Sequence, residues 1–553
     1  MLRRLRQWRS LLLVLTAALT VVLANCATQN APSVSTPGSA SPSAAANSSA
    51  LVFGVGGQPA NLEPGNIEDG NSIYVQQQIY DRLIDNVPGT TDLVPALATE
   101  WTASEDGLKW TFKLRQGVKF HDGTDFNAEA VKANVERWWD PNNKLGFRDS
   151  GKTYVIWQNL FGGFKGEEAS ILEAVTVVDP STVELTFKQP FAAFPAAISS
   201  GYFGMASPAA IEKAGARYGI AGSTAVGTGP YVLKEWRSGD RIILEKNPNY
   251  WNQGSPKTEQ LVFRFIAEPA SRLAELRAGS IDFTVDLAPD QLNEIKNDAN
   301  LDVVLRPSLN VGYLGLNPAY EPLAKVEVRQ AIAMAINRKA IVDSFWSGLG
   351  TTDGHFTPAS FSKFQDASLG DYEYNPEKAK QMLADAGYPN GFDLQLWYMP
   401  VSRPYFPTPK PIAEAFAADL SAIGIRVSLQ TKDWAAYLED RNKAPGYQAF
   451  MLGWTADYGD PDNFYYPHFG RDSTNDIGKW KDEKVFQLLD DARKTGDPSE
   501  REKLYAQVDK LLFPQALRIP VVHSQPLNAQ RKTIKGWKPS PLGSESFEQI
   551  EKT

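Results

Sequence analysis

Cysteine is all but missing from this 553-residue chain: Cys26 is the only one. No disulfide can therefore staple the body of the protein, and no thiolate cluster can hold zinc. Histidine is scarce as well. His121, His355, His468 and His523 stand far apart, so no pair has metal-ligand spacing and no HExxH motif exists. No G-x-S-x-G elbow or Walker A loop is present. Gly227-Thr228-Gly229 begins like a dinucleotide fingerprint, but Pro230 follows and the third glycine is missing; a tight turn into a strand at Tyr231 fits better. The net charge of -8 offers no basic surface for nucleic acid. Catalytic residues, metals and cofactors are accordingly expected to number none.

What the chain does have is an ordinary globular composition, 42% hydrophobic and 22% charged, which argues against disorder and against a multispanning membrane protein. Arg3, Arg4, Arg6 and Arg9 precede an apolar run over residues 11–24. The run is shorter than the roughly 20 residues that cross a bilayer, so residues 1–25 read as a signal peptide. Leu23-Ala24-Asn25-Cys26 resembles a bacterial lipobox, with Asn25 where a small residue is usual. Cys26 is then the lipidation site; the alternative is a secretory signal with an incidental cysteine. Residues 26–50 are small and polar and read as a flexible tether. Lipid, tether and folded body suit a leashed capture protein, although an enzyme could share the layout.

The body alternates strand and helix signals, so the class is α/β or α+β. Residues 51–55 read as a strand. Residues 108–120 read as two short strand runs around Arg115-Gln116-Gly117. Residues 175–187 read as a hairpin turning at Asp179-Pro180. Helical spacing runs through residues 326–345, and Asn375-Pro376 opens a helix that closes at Gly387. Further helices are expected at 411–422 and 500–513, with a strand at 425–429.

Four segments carry a resemblance. They are Pro95-Ala96-Leu97-Ala98-Thr99-Glu100-Trp101 with its continuation through Leu114-Arg115-Gln116-Gly117 to His121-Asp122-Gly123; Gly227-Thr228-Gly229-Pro230-Tyr231; Asn317 through Val328-Arg329-Gln330-Ala331 to Asn337-Arg338; and Gly453-Trp454-Thr455-Ala456-Asp457-Tyr458-Gly459-Asp460-Pro461-Asp462-Asn463-Phe464. Together they make the chain resemble the family 5 solute-binding proteins of ABC importers, the dipeptide and oligopeptide receptors. The first block departs at Ala130, where an acid is common. The resemblance implies a two-lobe clamp. Lobe I would span 51–308 plus 521–553, with an extra subdomain at about 90–220, and lobe II would span 309–520. Expected partners are a short peptide, an ABC permease and, through the lipid, a membrane. The protein would be exported to the periplasm or cell surface, not an enzyme, and a monomer.

A free peptide is a zwitterion, so its receptor needs an anion for the ammonium and a cation for the carboxylate. Under the resemblance, Asp457 is the candidate for the ammonium; a solvated loop acid or helix cap is the alternative. Trp454 would wall the ligand, or else pack a core. Arg403, in Met399-Pro400-Val401-Ser402-Arg403-Pro404-Tyr405, is the candidate for the carboxylate, since a guanidinium can hold it by two parallel bonds; a surface arginine is the alternative. Tyr405 would add a hydroxyl. Gly57 and Gln58 would bring lobe I to the ligand, and the two ends would be clamped between the lobes. Trp138, Trp139 and Phe120 are expected in a core, and Asp460, Asp462 and Asn463 in loop structuring. Alternative ligands within the wider family are glutathione, a nickel chelate, heme or an opine. An exported peptide hydrolase or a chaperone is the alternative of another class.

Overall fold

The computed structural model describes residues 50–553 apart from 68, 472 and 474–479. The expected signal peptide, Cys26 and all but the last residue of the expected tether lie outside the described residues. Ala50, expected to end the tether, is already the first residue of the strand Ala50–Val55. No helix among the described residues is long and apolar enough to cross a membrane.

Two sheets organise the body. The first has seven strands in the order Leu301–Leu305, Leu527–Arg531, Phe283–Leu287, Ala50–Val55, Gln260–Phe265, Arg241–Lys246 and Tyr231–Arg237. Ala50–Val55 runs parallel to both its neighbours. Its continuous apolar sequence fits a central strand covered on both faces, and five of its six residues are buried. The second sheet has six strands, in the order Gly350–Thr351, Arg518–Ser524, Asn310–Leu316, Ala449–Thr455, Asp393–Trp397 and Arg426–Gln430. Every residue of Asn310–Leu316 is buried. Each sheet is the backbone of one lobe.

The chain passes between the sheets twice, at residues 306–309 and again at 525–526. The second passage comes later than the expected limit of 520. Arg518–Ser524 stays paired with Asn310–Leu316 as far as Gly312 opposite Val522, so position 520 falls inside a strand of the second sheet.

A smaller four-stranded sheet, ordered Ala98–Ala103, Lys109–Leu114, Thr182–Phe187 and Leu172–Asp179, lies within the span expected for the extra subdomain. Its last two strands form the expected hairpin. The helix Ala128–Trp139 packs on this sheet, and Phe120, Trp138 and Trp139 join its core with Phe112, Trp157, Phe194 and Phe203. Of the two strand runs expected around residue 116, only Lys109–Leu114 forms; Lys119 keeps a single bridge to Asp125.

The helix expected over 326–345 is two helices, Val326–Ala335 and Arg338–Phe345. The side chain of Asn337 accepts from the Ala340 N–H and starts the second helix there, an N-cap that hydrophobic spacing alone does not reveal. The Asn375 cap, Pro376–Asp385 and the left-handed Gly387 appear as expected. So do the helices Pro409–Ala422 and Pro498–Leu512 and the strand Arg426–Gln430.

Candidate functional site

Asp393–Trp397 and Ala449–Thr455 lie side by side and parallel, with Trp397 opposite Phe450. Parallel neighbours release their following loops at the same edge of a sheet. One loop carries residues 399–408, the other residues 456–461. The first is pinned by a tight turn in which Arg403 and Phe406 exchange backbone bonds of 3.1 and 2.9 Å. It is also pinned by Tyr405, whose buried ring lies flat against Gly453. A Cβ on Gly453 would sit 2.5 Å from Tyr405 Cγ, so only glycine admits the ring. Thus Arg403, Tyr405, Trp454 and Asp457 come together at one edge of the second sheet.

The acids of the second loop and of the helix Asp462–Phe469 that follows it have distinct fates. Asp460 accepts a bidentate pair of bonds from Arg501, both 2.7 Å. Asp462 accepts another from Arg493, both 2.8 Å, and the Tyr458 hydroxyl donates to it. Arg493 holds the Asp462 carboxyl below its ordinary range against the effect of burial. These are internal braces, as expected, and no cluster fit for a metal occurs among the described residues.

Asp457 differs. Its oxygens accept from Tyr202 at 3.4 Å and from Asn463 Nδ2 at 3.3 Å, and both donors are neutral. No cation among the described residues pairs with it. Burial therefore dominates and pushes the carboxyl up to about 6, against the smaller pull of Asn463 and Tyr202. Asn463 is the hub of the loop: its Oδ1 accepts from both the Asp457 N–H and Trp454 Nε1 at 2.9 Å. Trp454 is half-buried, with its edge against the His468 ring. Part of it packs on the core of lobe II.

Arg403 is exposed. Its guanidinium lies 5.2 Å from the Trp434 ring centre, bonds the Ser402 carbonyl at 3.4 Å and hydrogen-bonds the Tyr405 hydroxyl. No carboxylate among the described residues lies within ion-pair distance. Tyr405 is pushed up to about 12 by burial, with the nearby Arg403 charge pulling the other way. Arg403 lines a cavity of about 480 Å3 between lobe II and the lobe I segment 286–290, closed behind by Gln525, Pro526 and Leu527. Asp457 is not in that lining.

Arg403 and Asp457 both belong to lobe II, as the expected span 309–520 implies, and the strands that carry them are neighbours. One expectation needs correction: Gln58 does not join them. Its Oε1 accepts from Ser238 Oγ at 3.1 Å and the Gly239 N–H at 2.8 Å, tying a turn within lobe I. Gly57 lies two residues past the first strand beside Asn71, with 3.0 Å between Asn71 Nδ2 and the place of a Cβ. What lobe I does bring to Asp457 is Tyr202, which sequence reasoning missed. The lobes also meet where the Ala192 N–H donates to the Arg493 carbonyl at 2.8 Å, and where Gly459 lets Thr91 approach.

Two lobes, each built on its own sheet and joined by two passages, with an acid and an arginine on neighbouring loops of lobe II that meet no opposite charge among the described residues, have the architecture of a solute-binding clamp. The comparisons with known proteins agree. Residues 92–476 match the model of "Bacterial extracellular solute-binding proteins, family 5 Middle". The chain is 34% identical to heme-binding protein A of Haemophilus influenzae, covering 96% of this chain and 97% of that one. It is 32% identical to the dipeptide-binding protein of Escherichia coli, over 91% and 94% of the two chains. Its fold is similar to that of a dipeptide-binding protein from Pseudoalteromonas in complex with Met-Leu, with a TM-score of 0.77, 27% identity and coverage of 91% and 100%. The chain belongs to family 5 of the bacterial extracellular solute-binding proteins.

Proposed function

We propose that this protein is the extracytoplasmic receptor of an ABC importer and that it captures dipeptides and short relatives of them. Asp457 takes the ligand ammonium and Arg403 the carboxylate, while Tyr405 and Trp454 flank the peptide. The observation that carries this reading is the contrast within one loop. Asp460 and Asp462 are each neutralised by an arginine, while Asp457 has no cation partner among the described residues. A carboxylate held among neutral donors lacks the partner that an ammonium would supply. On the same reading the protein is a receptor and not an enzyme, is monomeric, and is tethered to a membrane by a lipid on Cys26.

The test is mass spectrometry of small molecules that co-purify with native protein, followed by calorimetry with dipeptides, tripeptides, glutathione, heme, a nickel–histidine complex and an opine. Dipeptide binding that weakens in both Asp457→Asn and Arg403→Ala supports the reading. Binding of heme or glutathione that neither substitution changes, with no peptide binding, sinks it.

A further inference from the structure

Holding the two ends of a dipeptide leaves the cavity beside Arg403 without a role. At about 480 Å3 it falls in the range of ligand sites. Lobe II contributes Arg403 and residues 344–347 to its wall, and lobe I contributes residues 286–290.

Asp286 reaches this wall through an unusual backbone. Its φ is +52°, in the left-handed region that non-glycine residues seldom occupy. The pairing of its strand with Leu527–Arg531 shifts register between Thr284 and Leu287, a bulge of the kind that re-aims a side chain. Both sides of the residue are fixed. Its N–H donates to Asn528 Oδ1 at 3.1 Å, and its carbonyl accepts from Arg272 Nη2 at 2.8 Å. The carboxylate is exposed, and Arg306 approaches it only to 3.6 Å. That guanidinium is already engaged by Glu545 at 2.6 Å and the Tyr74 hydroxyl at 2.8 Å. Asp290 is exposed on the same wall and makes no ion pair or side-chain hydrogen bond among the described residues.

We infer that this cavity receives the side chain of the ligand residue whose carboxylate Arg403 holds, and that Asp286 and Asp290 select a cationic one, lysine or arginine. The inference rests on the dipeptide reading of Arg403. A side chain and its carboxylate leave the same Cα, so a carboxylate on Arg403 puts that side chain next to the cavity Arg403 lines. The ligand carboxylate neutralises the guanidinium. Two acids then remain in the wall, one loosely paired and one unpaired, and a cation answers them.

The experiment is calorimetry with Ala-Lys and Ala-norleucine, which share a four-carbon side-chain stem and differ by the terminal ammonium. The wild-type protein binds Ala-Lys about tenfold more tightly at low salt, and the preference shrinks at high salt. In the double variant Asp286→Asn, Asp290→Asn the preference disappears while Ala-norleucine binds as before, which also shows the variant folded. Asparagine tolerates the left-handed backbone, so the bulge survives. Equal affinities for the two dipeptides in the wild type overturn the inference, as does a preference that persists in the double variant. If neither dipeptide binds, the dipeptide reading falls and takes this inference with it.

Discussion

Affinity for a dipeptide should depend on pH through Asp457. Burial raises its carboxyl from 3.8 to about 6 in the ligand-free protein. Ionising it there instead of in open water therefore costs about 3 kcal/mol. The folded carboxyl binds its proton more tightly than the unfolded one, so the stabilisation from Asp457 is fully present below 3.8 and is lost as pH rises through about 6. Ligand reverses the balance, because an ammonium favours the ionised form. Below pH 6 the carboxyl must lose its proton before it can pair, and affinity should fall by about tenfold per pH unit. Calorimetry in buffers of different ionisation enthalpy should detect release of about 0.9 proton per dipeptide at pH 5 and little at pH 7. Asp457→Asn keeps the shape and the neutral donors' acceptor but loses the charge. It leaves the ammonium unpaired at a cost of about 2–5 kcal/mol, and the variant's affinity should be flat between pH 5 and 7. A wild-type affinity that ignores pH in this window, or an asparagine variant with the same slope, would refute the assignment of the ammonium to Asp457.

The other substitutions test the frame around that acid. Tyr202→Phe removes a donor that lowers the Asp457 pKa and bridges the lobes; dipeptide affinity should drop by about fivefold at most, and the pH midpoint should move upward. Gly453→Ala drives a methyl into the Tyr405 ring and should cost about 1–3 kcal/mol in thermal unfolding, with weaker dipeptide binding as the Arg403 loop shifts. Asp462→Asn breaks the bidentate pair with Arg493 and should destabilise lobe II by about 3–5 kcal/mol in denaturant titrations, while leaving the Asp457 pH midpoint in place in whatever folded protein remains.

Much of the site was legible because its parts are local in sequence. Gly453, Trp454, Asp457 and the paired acids occupy one stretch, and the turn and cap residues Asp179-Pro180 and Asn375-Pro376 act on their immediate neighbours. What escaped was set by distance along the chain. Tyr202 meets Asp457 across 255 positions, and no spacing rule connects them. Gln58 sits next to a glycine just past the end of the first strand, where backbone approach to a ligand is plausible from sequence. Its carbonyl oxygen is taken by a turn 180 residues away. The break at Asn337 was visible only as a cap, since apolar spacing runs on through both helices. Both Arg403 and Asp457 were expected on lobe II; that their loops are neighbours follows from strand order, which sequence pattern does not state.

That placement has a consequence for the order of binding. A ligand can change the balance of open and closed forms only through contacts that differ between them. Arg403 and Asp457 are carried by neighbouring loops of lobe II, so on the proposed reading the pair would be available before the lobes meet and would set capture rather than closure. Lobe I would then add Tyr202 at the ammonium end and the 286–290 wall at the carboxylate end, and contacts from the second lobe are the ones that can reward closing. Charge at the two ends would admit the zwitterion, and fit against lobe I would decide which zwitterion holds the clamp shut. A side-chain preference should therefore appear mainly as slower dissociation, because it acts after the charges have already docked.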